Sequence, residues 1–381
     1  MEFLTDYTTL RFIWWLLLGA IFWFFAVSEG FDMGVAVISP IIGEKDDERR
    51  LMLNTVGPVW EGNQIWLILG AGAIFAAWPL VYGVLFSGFY LPFFAVLTTL
   101  ILRPVGFKFR SKIHNASWRH AWDWCLFLGG AVPALSFGLV LGGLVSGASF
   151  FFDSSSMHLW VSANIVNLLQ PLPLCSALLW LLLFVTHGGL YLHLKLESPL
   201  VNKIKRLLPL RFWVSILLFF AFLCVWRLTV PDRSVVMATN LPSNPLFKSV
   251  MQLPMGKGVL SWLPQGFMLY GLVLFTALTA GMIALYPART RLVFVLNALR
   301  MGVVIATIGI GNFPIIIASL THIDHSLTLW DASSSRLTLL IMLVAVILLL
   351  PIMLVCTAWV YKVLKGPLSA KDVEKKSKEL Y

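Results

Sequence analysis

Charge is what this sequence has least of. Only 12% of its 381 residues are Asp, Glu, Lys or Arg, and 59% are hydrophobic. Soluble chains carry about 25% charged and about 45–50% apolar residues, so too little polar surface remains here to coat a water-soluble globule. Cysteine is also scarce. Cys125, Cys175, Cys224 and Cys356 stand singly inside apolar runs with no CxxC pair, so each is expected to be a small buried hydrophobe rather than half of a disulfide or a metal ligand. Walker loops, HExxH and a Ser/His/Asp pattern are all missing, which removes the usual motif-based routes to phosphate, zinc or acyl chemistry.

Long apolar runs fill the space that charge leaves. Nine stretches, about 12–38, 53–76, 80–102, 121–147, 161–192, 210–229, 265–286, 293–318 and 335–361, are each compatible with a helix crossing roughly 30 Å of hydrocarbon. The runs are continuous rather than alternating, so a barrel would lack its polar lumen face. The expectation is an all-α polytopic membrane protein with nine transmembrane helices in one membrane domain, 1–381. Trp78-Pro79 is almost the only break between the second and third stretches and predicts a tight helical hairpin. The first stretch is too long for a cleaved signal peptide, and its leader carries Glu2 and Asp6 against one Arg11. The proline-containing segment 230–264 is expected to be an irregular loop, and 362–381 a solvated basic tail.

The net charge of +10 has a simple distribution in this scheme. The loops after the first, third, fifth and seventh stretches, with the tail, hold 21 of the 28 basic residues, and the opposite side holds six. Basic residues gather on the cytoplasmic side, so the tail is expected inside and the N-terminus outside. The basic excess marks topology and gives no indication of nucleic acid as a partner.

The few charges within the runs are the candidate functional residues. Glu29 and Asp32 are three apart, on one helix face. They lie either in the cheap interfacial zone or buried, where two adjacent carboxylates would repel. Trp60-Glu61-Gly62-Asn63-Gln64 opens the second stretch; it suits a capped helix start, and equally a proton path built from an acid among amides. Arg103 ends the third stretch and either snorkels to headgroups or pairs with one of these acids. Arg300, with Asn297 one turn away, is the deepest cation, with a functional and a snorkelling reading both open. His187 is the only histidine well inside a stretch, where a polar core role is commoner than ligation. Asn164, Asn167 and Gln170 form a polar stripe at the start of the fifth stretch. From the residues alone the chain is a membrane protein with intramembrane acids and no visible redox centre.

Several motifs carry a resemblance: Gly30-Phe31-Asp32-Met33-Gly34, Trp60-Glu61-Gly62-Asn63-Gln64-Ile65-Trp66, Phe75-Ala76-Ala77-Trp78-Pro79-Leu80-Val81-Tyr82, Phe86-Ser87-Gly88-Phe89-Tyr90, Arg103-Pro104-Val105-Gly106-Phe107, and Ser326 through Ser335. In order and over nearly the whole chain, they resemble subunit II of cytochrome bd-type quinol oxidases. The resemblance implies two four-helix bundles plus a peripheral helix in the bacterial cytoplasmic (inner) membrane, paired with subunit I. Subunit I would ligate two b haems and haem d. The complex would oxidise quinol and reduce dioxygen to water, taking its protons from the cytoplasm. The implied partners include small single-span accessory subunits, and a structural quinone is implied in some members. By position, Glu61 falls on the proton-path acid, Trp60 beside it and Trp66 on an oxygen-entry tryptophan, with Glu29, Asp32 and Arg103 flanking the path. Many relatives have Asp where Glu29 and Glu61 stand here. Arg300 matches no family motif. Two other readings fit the same acids: a proton-coupled secondary transporter, which would need internal repeats and broken helices, and a purely structural scaffold subunit.

Overall fold

The computed structural model describes residues 6–153, 158–163, 165–197, 199–236, 243–253, 266–364 and 366. Apolar composition and internal hydrogen bonding make helices the favoured way to satisfy the backbone in hydrocarbon. Among the described residues there are twelve: α1 (Tyr7–Ile42), α2 (Asp46–Val56), α3 (Trp60–Ala77), α4 (Pro79–Gly88), α5 (Tyr90–Phe109), α6 (Ala116–Ser146), α7 (Ile165–Leu168), α8 (Pro171–Lys195), α9 (Leu200–Thr229), α10 (Gly266–Leu285), α11 (Thr290–Asn312) and α12 (Arg336–Val363). Eight of these, α1, α5, α6, α8, α9, α10, α11 and α12, are long and apolar enough to cross a membrane. Side-chain caps start three of them, with Asp6 accepting from Thr9 N at 3.0 Å, Asn115 from Ser117 N at 2.8 Å and Ser335 from Thr338 N at 3.2 Å.

The second and third apolar stretches differ from their sequence outline. Helix α3 has 18 residues, about 27 Å at 1.5 Å per residue, and its polar first turns keep it out of the strongly apolar set. The break at Trp78-Pro79 is real, with Pro79 at the tolerated first position of α4. A second break follows at Phe89, so the long helix begins at Tyr90 and continues to Phe109. Arg103 therefore sits about 9 Å inside the C-terminal end of α5, deeper than the stretch 80–102 predicts. The fifth stretch also starts late. Residues 159–162 form a strand and 165–168 a single helical turn, and the spanning helix begins at Pro171. Asn167 then donates to Ser149 Oγ at 3.1 Å instead of extending a helical stripe, and Asn164 lies outside the described residues.

Three antiparallel strand pairs gather at one end of the bundle: β1 (Ser149–Phe152) with β2 (Leu159–Ser162), β3 (Asp232–Val236) with β4 (Ser249–Leu253), and β5 (Ile315–Ile317) with β6 (Leu327–Thr328). The segment 230–264, expected to be irregular, thus contains a hairpin among its described residues. Cross-links join the pairs into a cap: Phe152 N donates to His325 Nδ1 at 3.0 Å, and Val250 N to Asp324 Oδ1 at 2.6 Å. A buried ion pair, Lys248 Nζ to Asp331 Oδ2 at 2.6 Å, closes it. Burial pushes the Lys248 ammonium below its ordinary value, and Asp331 acts in the opposite sense. The Ser326–Ser335 motif holds this cap to the start of α1 and the α3–α4 junction. Arg11 Nε donates to Ser333 Oγ at 2.7 Å, and Ser334 N to Ala77 O at 2.8 Å.

Helix α1 is the axis of the molecule. Every residue from Glu29 to Ser39 is buried, because α3, α6, α8, α11 and α12 all pack on it. At its crossing with α8 the backbones touch: a Cβ on Gly188 would fall 2.5 Å from the Gly34 carbonyl carbon and 2.6 Å from Val35 N. Only glycine permits that approach. Helix α12 is mostly uncovered, exposing Leu337, Ile341, Leu348, Ile352, Val355 and Trp359, and packs mainly on α1 and α3.

Candidate functional site

The sequence-predicted acids meet at the end of the bundle opposite the strand cap. Glu29 and Asp32, one turn apart on α1, are 0% and 1% exposed, so both carboxyls are enclosed by the helices of the bundle. Arg103, reaching from α5, is 1% exposed and makes an ion pair with Glu29 Oε1. It can do so because α6 presents Gly129 there: a Cβ at that position would stand 2.7 Å from Arg103 Cγ. The guanidinium also lies 5.5 Å from the ring centroid of Trp60, which stacks on Phe107 with centroids 5.5 Å apart.

Asp32 takes a different partner. Asn63 Nδ2 donates to Asp32 Oδ2 at 2.7 Å, and Asn63 Oδ1 accepts from the Tyr361 hydroxyl at 2.7 Å. Four polar atoms of this cluster, Glu29 Oε2, Asp32 Oδ1, Arg103 Nε and Trp60 Nε1, are buried without a hydrogen-bond partner among the described residues. Buried polar atoms are satisfied in most proteins. Several in one cluster mark a place where protons or water can be handled.

Glu61 is not in this cluster. Trp60 and Asn63 occupy the buried face of α3, whereas Glu61 is exposed together with Ile65, Ile68, Gly72 and Phe75. Those positions recur at the spacing of one helix seam. Gln64 is half-buried. Trp66 is buried and stacks on Phe24 at 4.8 Å and 15°.

A second buried polar group involves α1, α8, α9, α10 and α11. Arg300, 0% exposed, donates to Ser215 Oγ at 2.7 Å, Thr279 Oγ1 at 3.2 Å and Asn297 Oδ1 at 2.6 Å. Asn297 Nδ2 donates to His187 Nδ1 at 3.0 Å, and His187 Nε2 donates to Val27 O at 3.1 Å. Arg300 therefore does not snorkel. Both nitrogens of His187 are engaged, leaving no lone pair for a haem iron, so this histidine does not fit an axial ligand. Its role is a satisfied core residue.

Two parts of the site escaped the sequence reading. Tyr361, on α12, carried no motif signal beyond being a tyrosine at a helix end. Asp123, at the start of α6, is buried and accepts from Arg110 Nε at 2.5 Å and Arg49 Nη1 at 2.9 Å. Asp46 then bridges Arg110 and Arg119, each at 2.7 Å. Burial alone would lower the Arg110 guanidinium, but Asp123 and then Asp46 hold it above its ordinary value. The signal available was a lone Asp inside an apolar stretch; what the sequence hid was which arginines reach it.

Known proteins agree with this architecture. The chain is 38% identical to the cytochrome bd-I ubiquinol oxidase subunit 2 of Escherichia coli (strain K12) over 385 aligned residues, covering 99% of this chain and all of that one. It is 39% identical to a probable cytochrome oxidase subunit 2 of Haemophilus influenzae, covering 99% and 100%. It is 27% identical to the cytochrome bd ubiquinol oxidase subunit 2 of Bacillus subtilis, covering 96% and 98%. The fold matches a chain in the structure of bd oxidase from Geobacillus thermodenitrificans with a TM-score of 0.68 at 15% identity, covering 93% of this chain and 98% of that one. The sequence profile described as cytochrome bd terminal oxidase subunit II matches residues 10–364, and the chain belongs to that family.

Proposed function

We propose that the buried cluster of Glu29, Asp32, Asn63, Arg103 and Trp60 is a proton-handling site of a quinol oxidase. Family membership makes the chain one subunit of a terminal quinol:oxygen oxidoreductase, a multi-pass protein of the bacterial inner membrane whose partner is subunit I. Cytochrome bd oxidases carry haems; in this reading the two b haems and haem d are ligated by subunit I, consistent with both nitrogens of His187 being engaged. Family membership also favours the oxidase over secondary transport as the setting for these acids.

The observation that carries the proposal is a pair of carboxyls enclosed by the helix bundle, each with one oxygen bonded and the other without a hydrogen-bond partner among the described residues. Arg103 balances Glu29, and Asp32 is held by a neutral amide, so the pair can take up or release a proton without stranding two bare charges. The 21:6 basic asymmetry supports a cytoplasmic location for this end of the bundle, with the strand cap and N-terminus outside. In that arrangement α3 serves as the ninth span. Glu61, exposed on the apolar seam of α3, faces subunit I and carries protons across the interface, since a bare carboxylate on a lipid-facing surface is costly. Trp66 and Phe24 line an apolar route for dioxygen beside it.

Replacing Glu61 with Gln and, separately, Asp32 with Asn in the assembled oxidase tests this. Loss of oxygen reduction by at least tenfold, with haem spectrum and subunit stoichiometry intact, is expected. Loss of haem or assembly instead supports the scaffold reading; full rate in Asp32→Asn overturns proton handling by the buried cluster, and full rate in Glu61→Gln overturns the role of Glu61.

A further inference from the structure

Helix α12 lies at the edge of the bundle, and the bulk of its surface is uncovered. One of its polar side chains nevertheless enters the acid cluster. The Tyr361 hydroxyl donates to Asn63 Oδ1 at 2.7 Å, and Asn63 Nδ2 donates to Asp32 Oδ2 at 2.7 Å. A side-chain amide has one accepting end and one donating end. Since the tyrosine hydroxyl holds the accepting end, the donating end is turned to the carboxylate. Without that hydroxyl, Asn63 could rotate and present its oxygen to Asp32, an orientation that suits only a protonated acid.

We propose that Tyr361 is a positioning residue for the proton-handling site: through Asn63, the peripheral helix α12 fixes a hydrogen-bond donor on Asp32 and so keeps that carboxyl able to release its proton. This inference rests on the proton-handling reading above. The ring environment supports a defined pose, since Tyr361 meets Phe31 edge-on at 6.5 Å, and Phe31 stacks on Tyr191 at 4.2 Å. The titratable and charged groups around Asp32 are Glu29 on its own helix, Arg103 on α5, Tyr191 on α8 and Tyr361 on α12. Tyr191 donates to Thr55 O at 2.9 Å and so is committed elsewhere. That leaves Asn63 as the side chain seen donating to Asp32, and Tyr361 as the hydroxyl that orients it.

The test is Tyr361→Phe in the purified, assembled oxidase, which removes one oxygen and keeps the ring. Oxygen-consumption turnover should fall about three- to tenfold, the range expected for one hydrogen bond, with unchanged haem content and an increased solvent deuterium isotope effect. A merely structural tyrosine would not move the isotope effect. Asn63→Leu and the double variant complete a cycle: if Tyr361 acts through Asn63, the double variant is no slower than Asn63→Leu alone. Wild-type turnover and isotope effect in Tyr361→Phe, with Asp32→Asn inactive, overturn this inference and leave the proton-handling reading standing. An Asp32→Asn variant at full rate overturns both. Should Tyr361→Phe fail to assemble, Asn63→Leu decides alone: wild-type turnover and isotope effect in that variant overturn the inference, since Tyr361 is argued to act through Asn63.

Discussion

Two of the buried arginines, Arg103 and Arg300, look alike in sequence and differ in what they hold. Arg103 faces a carboxylate, Glu29, and both side chains are 1% exposed. Arg300 faces only neutral groups among the described residues, Ser215, Thr279 and Asn297. Removing one partner of a buried ion pair strands the other charge and costs about 3–5 kcal/mol. Arg103→Met is therefore expected to lower the thermal unfolding midpoint of the purified complex sharply. Arg300→Met removes a charge without stranding one. Its cost is the single unsatisfied Asn297 oxygen, about 1–3 kcal/mol, because Ser215 and Thr279 keep their bonds to Phe212 O and Phe275 O. Equal midpoints for the two variants would contradict this account. Glu29, Asp32, Arg103 and Arg300 could be picked out in the sequence because charge inside an apolar run is conspicuous. Their partners could not. The ion pair of Arg103 with Glu29 depends on helix rotation and on the space left at Gly129, and neither is written in local periodicity. Glu61 shows the same limit: the sequence reveals that it lies on a different helix face from Asn63, but not which of those faces turns toward α1.

Helices were easier to foresee than their ends. Continuous apolar runs dictate spanning helices, and the outlines of α10 and α12 in sequence and structure differ by one or two residues. The misplaced ends lie where tertiary structure intervenes. Pro92, in the first turn of α5, is the cue to the break at Phe89, and the strand pairs join consecutive short segments, Ser149–Phe152 with Leu159–Ser162 for one, that apolar composition alone does not tell from helix. Packing between elements is set by a few small residues, and this can be tested at two adjacent glycines of α8. A Cβ on Gly188 would meet the backbone of Gly34 and Val35 at 2.5–2.8 Å, whereas one on Gly189 would meet the end of the Leu208 side chain at 3.0 Å. Backbone cannot yield as a leucine tip can. Gly188→Ala is expected to cost about 1–3 kcal/mol by overpacking, read as a lowered unfolding midpoint, and Gly189→Ala to leave it nearly unchanged. Similar midpoints for both would show that the α1–α8 crossing is looser than the backbone contact implies.

At the scale of the whole molecule, the exposed seam of α3 is the surface that a membrane subunit would be expected to cover. It runs from Glu61 through Ile65, Ile68 and Gly72 to Phe75. Nothing stands within 4 Å of where a Cβ would sit on Gly62 or Gly72. Small residues on an open face give a transmembrane partner room for close backbone approach, and the single acid at one end is a group that lipid does not accommodate and a polar partner can. A lipid-facing helix has no such need, and α12 has the surface composition of one, exposing large aliphatic side chains and Trp359. A bulky residue at Gly72 should therefore leave the folding of this chain intact, since its Cβ would start from open space on an exposed face, and should interfere with assembly. Gly72→Leu is expected to lower the amount of subunit I that co-purifies with this chain by severalfold, while Ile352→Leu on the open face of α12 leaves it unchanged. Undiminished subunit I in the Gly72→Leu complex would assign the α3 seam to lipid, and the interface role of Glu61 would be lost with it.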